Sequence, residues 1–182
     1  MSTNIEVNGG AATDTVAKPK LALYWASSCG GCEIAVLDIK EKILEVDAAF
    51  DIVFWPVAVD FKVKDVEAMD DAEIDLCLFN GAIRNSENEH LAHLLREKSK
   101  TLVAFGSCAH EGCIPGLANA TTKEAIFRTV YHDSPSIDNP DAIEPQTTFE
   151  LPEGEVTLPE FFDAVRTLDQ VVDVDYYIRM GG

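Results

Sequence analysis

At 182 residues the chain is long enough for one domain with its own core, and at 47% apolar and 25% charged it reads as a globular protein rather than a disordered one. The formal charge of −18 argues against nucleic-acid or anionic-membrane binding, because phosphate repels a polyanion. No apolar run approaches the 18 or so residues of a membrane span, so none is expected.

Met1 to Pro19 is small and polar, with neither a basic start nor an apolar stretch. It reads as a disordered arm rather than a secretory signal, and residues 20–182 as the folded domain. Leu21 to Trp25 predicts a buried strand. A loop carrying Cys29-Gly30-Gly31-Cys32 follows, and the apolar spacing over Glu33 to Val46 predicts a helix. Phe50 to Val57 and Ile74 to Asn80 predict the second and third strands. Ser86 with Glu89 has the spacing of a capping box for a helix running to about Lys98. Thr101 to Phe105 is the fourth strand and meets Gly106-Ser107-Cys108. Thr121 or Thr122 caps a helix over Lys123 to Tyr131. The five prolines between His132 and Pro159 indicate a long loop, a last helix is expected over Glu160 to Leu168, and a fifth strand over Val171 to Ile178.

Strands alternating with helices imply an α/β fold with a doubly wound parallel sheet. Ligands of such sheets sit outside the carboxyl ends of the strands. The loops at those ends carry Cys29, Gly31 and Cys32 after the first strand, Gly81 and Ala82 after the third, and Cys108 after the fourth.

There are five cysteines and no export signal, which points to a reducing compartment, the cytoplasm, and to metal or redox chemistry rather than structural disulfides. Cys77 lies inside an apolar strand and reads as core. A C-x-x-C turn presents two thiolates to one inorganic centre, and its glycines let backbone approach a bulky cluster. Cys29, Cys32 and Cys108 are therefore candidate ligands, and Cys113, five residues beyond Cys108, is either a nearby non-ligand thiol or a substitute ligand. Two rivals share these residues. A zinc site could use Cys29, Cys32, Cys108 and either Cys113 or His110. A dithiol enzyme could use Cys29 as nucleophile and Cys32 as resolving thiol, because Trp25-Ala26-Ser27 before the pair resembles the thioredoxin turn. Glu33 could orient a ligand or pass protons, or simply occupy a first helical turn. His110 and Glu111 could hydrogen-bond cluster sulfur. His90 and His93 read as a surface helix, Trp25 and Phe105 as core.

Trp25 to Glu33, Asn80-Gly81-Ala82-Ile83 with Asn85 and Asn88, and Gly106-Ser107-Cys108-Ala109 leading to Ile114-Pro115-Gly116-Leu117 together resemble the small subunit of [NiFe] hydrogenases. The likeness is to the methyl-viologen-reducing type that feeds heterodisulfide reductase. The quinone-reductase subunit of complex I, with adjacent cysteines in place of C-x-x-C, is more distant. The resemblance covers about residues 20 to 182. It implies a flavodoxin-like fold and a [4Fe–4S] cluster held by Cys29, Cys32 and Cys108. It also implies a hydrogenase large subunit as partner, and a further electron-transfer subunit, heterodisulfide reductase or similar. The fourth ligand of that family follows the last strand. Its expected position lies just past Gly182, as in a chain truncated there.

Overall fold

The computed structural model describes residues 17–179. Residues 1–16 of the expected arm, and the expected fourth-ligand position, lie outside them. Pro19, assigned to that arm, is tied down, its carbonyl accepting the Asp51 N–H at 2.9 Å.

The chain begins with β1 (Lys20–Trp25), α1 (Gly31–Leu37), α2 (Ile43–Ala49), β2 (Asp51–Phe54) and α3 (Val63–Glu67). It continues through β3 (Ile74–Asn80), β4 (Ile83–Asn85), α4 (Ser86–Lys98) and β5 (Ser99–Phe105). Short helices α5 (Ser107–Glu111), α6 (Cys113–Gly116) and α7 (Lys123–Arg128) follow. The last elements are β6 (Thr148–Leu151), β7 (Gly154–Thr157), β8 (Phe161–Arg166) and β9 (Tyr176–Ile178).

Five strands form one parallel sheet in the order β2-β1-β3-β5-β9. Counted among themselves these are strands 2-1-3-4-5, the flavodoxin-like order, with its switch point between β1 and β3. Both faces of the sheet are covered, which is why the strands read as continuous apolar runs. Alternate β1 residues feed two separate cores. Leu21 and Leu23 pack with Trp55, Val36, Ile43 and Val46 on one face, and Ala22 and Tyr24 pack with Phe54, Phe79 and Leu91 on the other.

Several elements differ from expectation. The helix expected over Glu33 to Val46 is split into α1 and α2 by a turn in which Lys40 takes φ 58°. The cap of α4 is Asn85, not Ser86: Asn85 Oδ1 accepts the Asn88 N–H at 2.8 Å, while Ser86 Oγ accepts from Glu160 N. The expected 160–168 helix is a strand. The Phe161-Phe162 and Ala164-Val165 pairs have helical spacing, but this stretch pairs antiparallel with β4, where Phe161 lies under Arg84 at 4.1 Å and Arg166 meets Glu89 at 2.7 Å. Tertiary pairing has overridden the local period. The proline-rich loop contains a hairpin, β6–β7.

The fifth sheet strand is shorter than expected because Asp175 anchors its start. Its carboxylate accepts both the Leu102 N–H and an Arg96 guanidinium N–H, at 2.8 and 2.7 Å. The Arg96 bond, then the Leu102 bond, holds this carboxyl below its ordinary pKa. Stability from a carboxyl depressed on folding is present above the unfolded pKa and lost as pH falls through the folded one. Asp175→Asn is therefore expected to cost about 1 kcal/mol at pH 7, after discounting for solvent exposure. That is roughly 2–4 °C in Tm for a domain of this size. The difference should close as pH falls below the carboxyl range, and thermal melts at pH 7 and in acid check it.

Candidate functional site

The carboxyl ends of β1 and β3 are laced together by backbone. Ala26 N–H donates to Asn80 O at 2.7 Å, and Ser27 and Ala82 exchange two N–H···O bonds of 3.1 and 2.8 Å. Gly81 permits this. A Cβ there would stand 2.8 Å from the Ala26 carbonyl carbon, and its φ is +108°. Gly81 and Ala82 thus position the cysteine loop through its backbone.

The thiols of that loop converge with those after β5. Cys29 is exposed, just ahead of α1, and its sulfur accepts the Gly31 N–H at 3.4 Å. Cys32 sits in the first turn of α1 and is 8% exposed. Gly106, with φ +91°, lies directly under it: a Cβ on Gly106 would stand 2.3 Å from Cys32 Sγ. Cys108, 4% exposed, opens α5, and the backbone N–H groups of Ile114 and Cys29 point at its sulfur. Burial first, then the neighbouring Cys29, Glu33 and Cys113, push the Cys32 thiol pKa up. Burial and Cys113 do the same for Cys108, against the two backbone N–H groups. Cys113 is half-buried, has φ 37°, and interacts electrostatically with both. Cys77 is apart, fully buried within β3, its thiol pKa raised to about 12 by burial.

Six buried side-chain atoms lack a hydrogen-bond partner among the described residues, and four of them belong to residues at or just after the carboxyl ends of strands: Glu33 Oε1, both amide atoms of Asn80, and His110 Nδ1. Of these, Asn80 Oδ1 is the one that shares the Gly106 position with Cys32 Sγ, 3.8 Å from where a Cβ on Gly106 would stand. Glu33 is 1% exposed; its other oxygen accepts from Trp55 Nε1, and burial raises its pKa against that bond. It is not the solvated first-turn residue its position suggests. His110 packs edge-on against Tyr177 at 4.8 Å. Trp25, expected in the core, is 40% exposed and lies over Gly30, donating to Ser28 O. Phe105 is core at 6%.

Among the described residues no three His, Cys, Asp or Glu side chains close on a point that would hold a single metal ion. His90 faces Glu67 at 3.7 Å on the surface. The five-stranded sheet is wholly parallel, unlike the thioredoxin ending in an antiparallel hairpin and helix. Thiols on two loops, a glycine where a Cβ would meet Cys32 sulfur, and a backbone N–H at Cys29 sulfur are features that an iron–sulfur cluster uses. Asn80 carries one signal in the sequence, a carboxamide directly after the apolar run Leu76 to Phe79.

The family described as NADH ubiquinone oxidoreductase, 20 Kd subunit, matches residues 29–180. An F420-non-reducing hydrogenase iron-sulfur subunit of Archaeoglobus profundus is 49% identical over 87% of this chain and 50% of its own length. An F420-non-reducing hydrogenase vhu subunit of Methanococcus voltae is 37% identical over 88% and 50%. The chain spans about half the length of these curated relatives. Among solved structures, a chain of an NAD+-reducing [NiFe]-hydrogenase in the H2-reduced state superposes with a TM-score of 0.74 at 26% identity, over 88% of this chain and 80% of that one. No described helix is long and apolar enough to cross a membrane.

Proposed function

The chain belongs to the NADH ubiquinone oxidoreductase 20 Kd subunit family, and from that premise we propose that it is the cluster-bearing, electron-transfer part of a hydrogenase small subunit. Cys29, Cys32 and Cys108 hold a [4Fe–4S] cluster, with Cys113 the candidate fourth thiolate within the described residues. When bound, such a cluster takes up and releases one electron at a time. The partner is a hydrogenase large subunit bearing the nickel–iron site, and a further electron-transfer subunit such as heterodisulfide reductase takes the electrons onward. The observation that carries this reading is that the loops after β1 and β5 meet at the carboxyl edge of the sheet, Gly106 standing against Cys32 Sγ two residues before Cys108.

The chain's own residues have definable tasks. Gly106 leaves room beside Cys32 Sγ, and the N–H groups of Cys29 and Ile114 favour the ionised form of Cys108, the form that ligates. Trp25 covers the turn at Gly30. Trp55 fixes one Glu33 oxygen and leaves the other buried without a protein partner among the described residues. Gly31 supplies an N–H to Cys29 sulfur.

The test is iron and acid-labile sulfide per chain, on protein purified without oxygen. About four of each is expected, with the brown absorption of an iron–sulfur centre. A folded, colourless chain that takes up no iron on anaerobic reconstitution would overturn the proposal.

A further inference from the structure

Asn80 ends a strand, β3, whose preceding residues Leu76, Cys77, Leu78 and Phe79 are all apolar, and it is itself fully buried. Its backbone is fully used, since its carbonyl accepts from Ala26 and the residue sits in register between Trp25 and Phe105. Its side chain is not: neither Oδ1 nor Nδ2 has a partner. Burying an amide uncompensated costs free energy. An apolar side chain in this place would avoid that cost unless something at the site uses the amide.

What stands beside it is sulfur. The side-chain position that Gly106 leaves vacant is 2.3 Å from Cys32 Sγ and 3.8 Å from Asn80 Oδ1, so thiol and amide flank the same gap. The other groups that bear on Cys32 are Cys29, Glu33 and Cys113, all negative when ionised. A neutral donor is the complement the sulfur lacks. Because the amide has no other partner, its NH2 can turn to the sulfur without breaking a bond.

We infer that Asn80 is a positioning residue whose carboxamide NH2 donates to the sulfur of Cys32 or to the cluster sulfide beside it. The inference rests on the iron–sulfur reading above and adds a tuning role to it. Hydrogen bonds to cluster sulfur stabilise the more negative, reduced state and so raise the reduction potential.

The experiment uses the full chain, loaded anaerobically, in wild-type, Asn80→Leu, Asn80→Asp and Cys77→Ala forms. Iron is counted first, then the midpoint potential is measured by EPR-monitored titration. Asn80→Leu is expected to keep its iron and titrate at a more negative potential, and Asn80→Asp at one more negative still. Cys77→Ala, a change in the same buried strand, should titrate with the wild type. Pulsed EPR after exchange into D2O should show one exchangeable deuteron fewer near the cluster in Asn80→Leu. If the wild type takes up no iron, the functional reading itself has failed. If the wild type is loaded and both Asn80 variants match its potential, the functional reading stands and this inference is overturned. Should Asn80→Leu not hold iron, the isosteric Asn80→Asp carries the test by the same criterion.

Discussion

Cys108→Ser is expected to leave a folded chain almost without iron, falling from about four atoms per chain to below about one. Cys108 lies in the first turn of α5, just beyond the end of β5, and is 4% exposed; the backbone N–H groups of Cys29 and Ile114 favour its ionised form. Those groups come from the two loops that carry the other site thiols, so this one sulfur ties both loops together. Serine fits the space and keeps α5, but its hydroxyl ionises far less readily than a thiol and is a poor ligand for iron in a cluster. Cys77→Ser is the comparison that makes the result interpretable. Cys77 is also buried, but it lies within β3 and away from the strand ends. It should retain its iron and lose about 1 kcal/mol of stability, a buried hydroxyl in place of a thiol being offset in part by the neighbouring Ser99 hydroxyl. Iron, far-UV circular dichroism and a melting curve on the two variants separate ligation from packing. Full iron in Cys108→Ser would remove Cys108 from the ligand set.

The sheet was legible in the sequence because each parallel strand is covered on both faces and so announces itself as an apolar run. Ile74–Asn80 has the bounds its run implies. The placement of Cys29, Cys32 and Cys108 was legible for a related reason: thiols that follow such runs closely land on the carboxyl edge. The second layer was not. The 161–166 strand carries an apolar spacing that suits a helix as well, and only its partner Ile83–Asn85, far earlier in the chain, decides the matter. Asn85 rather than Ser86 caps α4 because adjacent cap-forming residues compete and the local backbone chooses between them. Glu33 has the position of a solvated first-turn residue, and only the fold brings Trp55 from the end of β2 against it. Asn80 carries no spacing signature at all. Its significance lies in what it fails to bond, and a sequence does not record absent partners.

Gly106→Ala is expected to have the second largest effect, and for a different reason from the loss of a ligand. The methyl would have to occupy a point 2.3 Å from Cys32 Sγ, far inside van der Waals contact. The neighbour cannot swing away freely, since Cys32 is held in the first turn of α1 and is itself 8% exposed. The backbone adds to this, because φ +91° is a region that L side chains rarely adopt. Strain of this kind costs about 1–3 kcal/mol, and overpacking costs a similar amount again. The protein can relieve both only by moving the β5–α5 turn, which is the turn that presents Cys108. Iron content should therefore fall several-fold even where circular dichroism reports an intact sheet. Gly154→Ala supplies the control. Gly154 also has positive φ, +134°, but it opens a strand of the exposed hairpin and nothing lies within 4 Å of its Cβ position. It should lose some stability to backbone strain and no iron. If Gly106→Ala binds iron as well as Gly154→Ala does, the close approach of Gly106 to Cys32 is not what shapes the site, and the argument that these glycines make room for a cluster fails with it.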